Sequence, residues 1–234
     1  MTQFDSSAIK VLSFDLDDTL WDGMQVIIKA ESAMHQWMMK NTPEVFEQFT
    51  KQALKDYKIA FFKNNPQLKN KLTVARKEYL AALFSHINYS DYQSKATICF
   101  DVFYQARQKV ELFDGVTEAL TKLKQDYRLV AITNGNADIN LTGLGSYFEF
   151  CLNAEDFVRP KPHPEIFQCA LSQLKIQPEH CLHIGDHPNH DMLGAYELGV
   201  KTCWLKDGTR QWDQSFKSDI EVSHVSELIP LLCR

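Results

Sequence analysis

Glycine is scarce in this 234-residue chain, and none lies between Gly23 and Gly115. Cysteine forms no C-x-x-C pair: Cys99, Cys151, Cys169, Cys181, Cys203 and Cys233 are scattered, which predicts reduced, mostly buried thiols. Positive charge is in deficit, with 25 Lys and Arg against 30 Asp and Glu. A net charge of −5 argues against a surface built to neutralise nucleic-acid phosphates. Long hydrophobic runs are missing as well, since no apolar stretch approaches the ~18 residues of a membrane span. Met1 to Lys10 is acidic and polar where a signal peptide needs a basic stretch and then an apolar one. The expectation is a cytoplasmic protein with no membrane partner. Hydrophobic residues at 44% and charged residues at 24% predict a packed core and exclude disordered, collagen-like and coiled-coil classes.

What is present divides into two patterns. Lys10-Val-Leu-Ser-Phe-Asp-Leu16 is a short β-type run without helical period, ending in the acidic cluster Asp15-Leu-Asp-Asp18 before Thr19. From about Asp22 to Glu111 no strand is evident, and apolar residues recur at helical spacing, as in Tyr79, Leu80, Leu83, Phe84 and Ile87. That stretch reads as a helical bundle, with breaks at Thr42-Pro43, an N-cap followed by proline, and at Ser90-Asp-Tyr-Gln93, a capping box. From Phe113 onward elements alternate. The pattern predicts a helix over Val116–Gln125, a strand over Arg128–Thr133, a helix near Ala137–Leu144 and a strand over Phe148–Leu152. It continues with a helix over Pro164–Leu174, a strand over Cys181–Ile184, a helix over His190–Leu198 and a strand over Lys201–Leu205. A short strand Asp219–Val222 and a last helix end the chain.

Such alternation implies βαβ units and a parallel sheet. The fold class is therefore α/β, a Rossmann-like parallel sheet core with an inserted α-helical bundle cap. The core covers residues 1–21 and 112–234, and the cap covers 22–111. An insertion after the first strand sits at the carboxyl edge where open α/β sheets bind ligands, which suits a lid.

The strand ends carry the chemistry. Asp15, Asp17, Thr133, Lys161, Asp186 and Asp191 all fall at or just beyond predicted strand ends, and a parallel sheet gathers such positions into one crevice. Alternate residues on an extended strand face one side, so Asp15 and Asp17 can share a pocket. Several carboxylates together repel unless a proton or a cation intervenes. A hard divalent cation such as Mg2+ suits oxygen ligands, here Asp15, Asp186 and a main-chain carbonyl. A carboxylate so shielded can attack the phosphorus of a phosphate ester, while Asp17 exchanges protons with the leaving group and then with water. Thr133 and Lys161 would hold the phosphate oxygens.

Read together, these residues resemble the haloacid dehalogenase superfamily of phosphohydrolases. Phe14-Asp-Leu-Asp-Asp-Thr-Leu20 is similar to its first motif, Ile132-Thr-Asn-Gly135 to its second, Arg159-Pro-Lys-Pro-His-Pro-Glu-Ile-Phe167 to its third, and Gly185-Asp-His-Pro-Asn-His-Asp191 to its fourth. The resemblance implies an aspartyl-phosphate on Asp15, acid–base work by Asp17, and phosphate binding by Thr133, Asn134 and Lys161. It also implies Mg2+ held by Asp15, Asp186 and the carbonyl of Asp17, with Asp191 in support. The insertion resembles the bundle-type cap that selects the substrate in that superfamily. Leu129-Val-Ala-Ile-Thr-Asn-Gly-Asn-Ala137 and Leu144-Gly-Ser-Tyr-Phe-Glu-Phe150 resemble bacterial members acting on flavin mononucleotide and on the phosphorylated ribitylaminouracil of riboflavin synthesis. Other sugar- or nucleotide-phosphate phosphatases, a haloacid dehalogenase and a phosphomutase stand as alternatives. Asp17 speaks against the dehalogenase, which has no need of a second aspartate.

Plainer readings accompany each residue. Asp-x-Asp at a strand end also caps helices, Lys161 between prolines suits a solvated loop, and Thr133-Asn-Gly135 suits a turn. His163, His183, His187 and His190 lack zinc spacing, and His187 stands where serine is common in the superfamily. Trp37, Phe46, Phe61, Phe62, Tyr79 and Phe103 read as bundle core rather than as a stacking surface.

Overall fold

The computed structural model describes residues 4–206 and 208–233. A strand covered on both faces must be apolar at nearly every position, and β1 (Val11–Phe14) is buried throughout. After it come α1 (Gly23–Asn41), α2 (Glu44–Gln48), α3 (Lys51–Asn64), α4 (Leu72–His86) and α5 (Tyr92–Arg107). The chain continues through α6 (Val116–Asp126), β2 (Arg128–Thr133), β3 (Cys151–Asn153), α7 (Glu165–Leu174) and β4 (Cys181–Gly185). It closes with α8 (Gly194–Tyr196), β5 (Lys201–Leu205), β6 (Ile220–Val222) and α9 (Leu228–Leu232).

The strands form one parallel sheet in the order β3-β2-β1-β4-β5-β6. Strand β1 is the switch point: Val11–Phe14 pair with Arg128–Ala131 on one side and with Cys181–Ile184 on the other. Connections diverge from that strand, which opens a crevice at its carboxyl end. The polar member of β1, Ser13, is buried opposite His183, and its hydroxyl lies 2.9 Å from His183 Nδ1. Each thus satisfies the other in a region where an unpaired polar group is costly. Helix α6 turns Val116, Ala119, Leu120 and Leu123 inward, and α7 does so with Ile166, Phe167, Ala170, Leu171 and Leu174. Both follow the i, i+3, i+4, i+7 spacing of an amphipathic helix.

Two compact units result, one of Met1–Gly23 with Val110–Arg234 and one of Met24–Lys109. In the second, Met34, Leu80, Leu83, Phe84 and Phe100 build a core with Tyr79 and Phe103. Trp37, Phe46, Phe61 and Phe62 pack partly buried against it. No described helix is long and apolar enough to cross a membrane.

Several local expectations are corrected. No helix spans Ala137–Leu144; one turn forms there, with Asp138 Oδ1 accepting from Asn140 N at 2.8 Å. Gly143, at φ 82°, then ends that turn in the left-handed region. The strand expected from Phe148 begins only at Cys151. The helix expected from His190 starts at Pro188 with a π turn and shortens to Gly194–Tyr196. At Ser90–Gln93 no side-chain cap forms; Asp91 pairs instead with Lys95 at 3.0 Å. Thr42 does not cap α2 but donates its hydroxyl to Met38 O at 3.0 Å, closing α1. The six cysteines are free, yet only Cys99, Cys181 and Cys203 are buried.

Candidate active site

Strand β1 ends at Phe14, but Asp15 N still donates to Ile184 O at 2.8 Å, so Asp15 finishes the ladder beside β4. The chain then turns, with Leu20 N on Leu16 O at 2.8 Å and Asp18 N on Trp21 O at 2.8 Å. Asp17 therefore enters the cleft of Asp15 through this turn rather than by strand alternation. Asp18 holds φ 61°, a conformation tolerated best by glycine, asparagine and aspartate. Its carboxylate accepts from Gly23 N at 2.9 Å, while Trp21 Nε1 donates to Asp17 Oδ1 at 2.8 Å. A Cβ on Gly23 would lie 2.9 Å from that of Asp17, so glycine keeps this turn closed.

Lys161 is no solvated loop lysine. Its side chain is 1% exposed, and Nζ donates to Asp15 Oδ1 at 2.6 Å, Asp191 Oδ1 at 2.6 Å and Ile132 O at 2.7 Å. Those three acceptors use all its protons. Asn134 places this residue: its amide donates to Lys161 O at 3.1 Å and accepts from Lys161 N at 2.9 Å. The Asn134 side chain thus serves Lys161 rather than open space. Thr133 Oγ1 accepts from Gly135 N at 2.9 Å, which leaves its own proton to donate into the cleft. Asp191 accepts from His187 N at 2.9 Å and packs where a Cβ on Gly185 would lie 2.5 Å from its Cγ. His183 Nε2 stands 3.5 Å from Asp191 Oδ1.

A cleft of about 140 Å³ is lined by Asp15, Asp17, Thr133, Lys161 and Asp186, together with Asn134, Asp191 and Arg210. Every predicted site residue is gathered there. Burial is the largest influence on the Asp15 carboxyl and, with the charges of Asp191 and Asp186, raises its proton affinity well above the usual range, although Lys161 opposes this. Burial and the Asp191 charge push Asp186 up to about 7 against the pull of Arg210. For Asp191 burial acts in the same sense, but Lys161 and His183 outweigh it and hold that carboxyl below its ordinary value. Burial would depress the Lys161 ammonium; Asp15 and Asp191 outweigh it and keep the group charged.

Asp15, Asp186 and Asp191 each offer a carboxylate oxygen, and these lie within 4.8 Å of one another. All three are buried hard donors, so the set fits a small divalent cation. Asp191 has both oxygens engaged, by Lys161 and by His187 N, which makes it a support of the lysine. Asp15 and Asp186 differ in sharing the Thr19 hydroxyl, 3.3 Å from an oxygen of each, a contact that a cation between them could replace.

Three participants were not legible as such. Thr19 is buried and its hydroxyl stands 3.3 Å from both Asp15 Oδ2 and Asp186 Oδ1; its place in the first motif, four residues after Asp15, is the signal for it. Trp204 Nε1 donates to Asp186 O at 2.9 Å. Arg210, in a tail with no clear pattern, pairs with Asp186 Oδ2 through Nη1 and donates to Asp18 Oδ2 through Nη2 at 3.3 Å.

The fold and site are those of an α/β protein with a switch-point crevice that gathers a buried lysine and several aspartates at successive strand ends. The chain belongs to the haloacid dehalogenase-like hydrolases, whose family pattern matches residues 9–199. It is 30% identical over 230 residues to the 5-amino-6-(5-phospho-D-ribitylamino)uracil phosphatase YigB of Escherichia coli, covering 96% of each chain. It is 28% identical to the glyceraldehyde 3-phosphate phosphatase of Pyrococcus furiosus, over 97% of this chain and 94% of that one. A crystal structure of a 2-haloacid dehalogenase from Pseudomonas syringae superposes with a TM-score of 0.88 at 33% identity, over 97% of this chain and 99% of that one. Within the family this chain is a phosphatase acting on phosphate esters.

Proposed function

We propose that this chain hydrolyses a small phosphomonoester with Mg2+, through a phosphoryl group carried on Asp15. The observation that carries the reading is the setting of Asp15: a buried carboxylate bonded to Lys161 at 2.6 Å, with Thr19, Asp17 and Asp186 around it. Mg2+, held by Asp15, Asp186 and the carbonyl of Asp17, would supply positive charge that keeps Asp15 ionised and neutralises phosphate oxygens. One Asp15 oxygen attacks phosphorus and the ester P–O bond breaks. Asp17, in its acid form, gives its proton to the departing alkoxide. Asp17 then takes a proton from water as that water attacks the phosphoryl group, the bond to Asp15 breaks and inorganic phosphate leaves. Thr133 donates to a phosphate oxygen, and the Lys161 ammonium, its protons held by Asp15, Asp191 and Ile132 O, offsets the developing negative charge through its field. Trp21 holds Asp17 in place through its bond at 2.8 Å.

For the substrate we infer a phosphorylated ribitylaminouracil, since the likeness to YigB runs along 96% of the chain, or flavin mononucleotide, which the resemblance of Leu129–Ala137 and Leu144–Phe150 implies. The helical unit, Met24–Lys109, would make that selection as a cap. Phosphate release from these two compounds, measured beside simple sugar phosphates, tests the assignment, and equal rates on all of them would overturn it. The likeness to the Pseudomonas syringae structure supports a second reading, carbon–halogen hydrolysis by Asp15. Release of halide from 2-chloropropionate without Mg2+ would favour it over phosphate chemistry.

A further inference from the structure

Arg210 reaches the cleft from the loop between β5 and β6, and nothing in the reaction above requires it there. Its guanidinium pairs with Asp186 Oδ2 and donates to Asp18 Oδ2 at 3.3 Å. The loop that delivers it is anchored: Trp212 Nε1 donates to Phe216 O at 2.8 Å, and the Trp212 ring lies 5.0 Å from that of Trp204. Trp204 in turn bonds the main chain of Asp186 at 2.9 Å. One aromatic brace therefore links the main chain of Asp186 to the loop two residues beyond the arginine. The arginine side chain itself is 29% exposed, with a path to solvent, whereas that of Asp186 is 5% exposed.

Among the described residues, the three buried carboxylates Asp15, Asp186 and Asp191 pair with two lysine or arginine side chains, Lys161 and Arg210. Lys161 serves Asp15 and Asp191, so Arg210 is the cation of Asp186. A divalent ion on Asp186 would place like charges a few ångströms apart, and the solvent-accessible cation is the one able to move.

We propose that Arg210 is the built-in counter-cation of Asp186, holding that carboxylate until a divalent metal takes its place and thereby setting how tightly the metal binds. The inference rests on the metal reading of the cleft given above. The test uses Mn2+ as the probe and the full-length protein, with affinity measured by calorimetry and by the electron paramagnetic resonance of free Mn2+. Arg210→Gln should tighten Mn2+ binding about tenfold, because one like charge a few ångströms away is removed.

Thermal unfolding separates this role from a merely structural one. Metal-free Arg210→Gln should melt below the wild type, and saturating Mn2+ should erase the difference. An arginine that only braces its loop would lower both forms alike. Mn2+ affinity in Arg210→Gln equal to or weaker than in the wild type overturns the proposal. Absence of Mn2+ binding in wild type and variant alike overturns the metal reading as well, which keeps the two failures distinct.

Discussion

The two units balance their clustered charges in opposite ways. In the sheet unit, Asp15, Asp186 and Asp191 share Lys161 and Arg210, so carboxylates outnumber cations. In the helical unit a single carboxylate, Glu31, lies between Arg76 and Lys58, so cations outnumber carboxylates. Arg76 also lies over the Phe103 ring, 3.6 Å from its centroid, which gives that pair a packing role. Burial, and then the charge of Asp191, raise the proton affinity of Asp186, and a surplus of carboxylates leaves room for a metal. A surplus of positive charge lowers that of Glu31 and leaves room for nothing. The first arrangement is poised to change state on binding, and the second is finished on folding.

The comparison breaks hardest at Asp15. Asp15→Asn keeps the shape of the side chain but removes the attacking oxygen, and phosphate release from p-nitrophenyl phosphate should fall roughly 10⁴-fold or more. Near-normal turnover in that variant would refute the nucleophile. Next in size is Lys161→Met, which leaves Asp15 and Asp191 without their shared cation. Urea unfolding should show a loss of about 3–5 kcal/mol, the cost of stranding buried charge. Lys58→Met in the helical unit should cost less than about 1 kcal/mol, because Glu31 keeps Arg76 and Lys58 is exposed. Equal losses would erase the distinction between the units.

The reason for that difference bears on what the sequence could tell. Position at a strand end is written in local pattern, so β2 and β5 match their expected spans to the residue and the site residues could be gathered from them. Which donor meets which acceptor is set by tertiary contacts that no spacing encodes. Lys161 reads from the sequence as a phosphate-binding residue, and no spacing foretells that its ammonium bonds Asp15, Asp191 and Ile132 O. Arg210 was invisible for the same reason, since its partners lie more than 20 residues away along the chain, at Asp186 and Asp18. The turn at Ala137–Leu144 replaces the helix that element alternation predicts, and Gly143, with its left-handed backbone, ends it.

A smaller effect follows from Asp186. Its folded proton affinity, about 7, exceeds the ordinary carboxylate value, so the folded chain binds more protons than the unfolded one between roughly pH 4 and 7. That contribution is present below the ordinary value and is lost as pH rises through 7. Asp186→Asn removes it, so in chelator the variant should gain on the wild type as pH rises, by about 2–6 °C in Tm at pH 8. Mg2+ should raise the Tm of the wild type only. A Tm difference independent of pH would contradict the charge imbalance.

The mildest change, Glu31→Gln, should show the opposite slope. Burial raises the proton affinity of Glu31, but Arg76 and Lys58 together outweigh it and bring the carboxyl below its ordinary value. The folded chain thus releases a proton more readily than the unfolded one, and the stability gained is present above about pH 4.5 and lost as pH falls through the lowered folded value. Glu31 is about one-third exposed and solvent screens the pair, which limits the gain to roughly 0.5–1 kcal/mol. Glu31→Gln should therefore lower Tm by about 1–3 °C at pH 7 and by progressively less toward pH 3. Calorimetric scans of both variants across that range give two lines of opposite sign if carboxylate surplus and cation surplus are what distinguish the units. If Glu31→Gln instead stabilises the protein at high pH, as Asp186→Asn should, the helical unit carries the same unspent charge as the sheet unit and holds a binding site of its own.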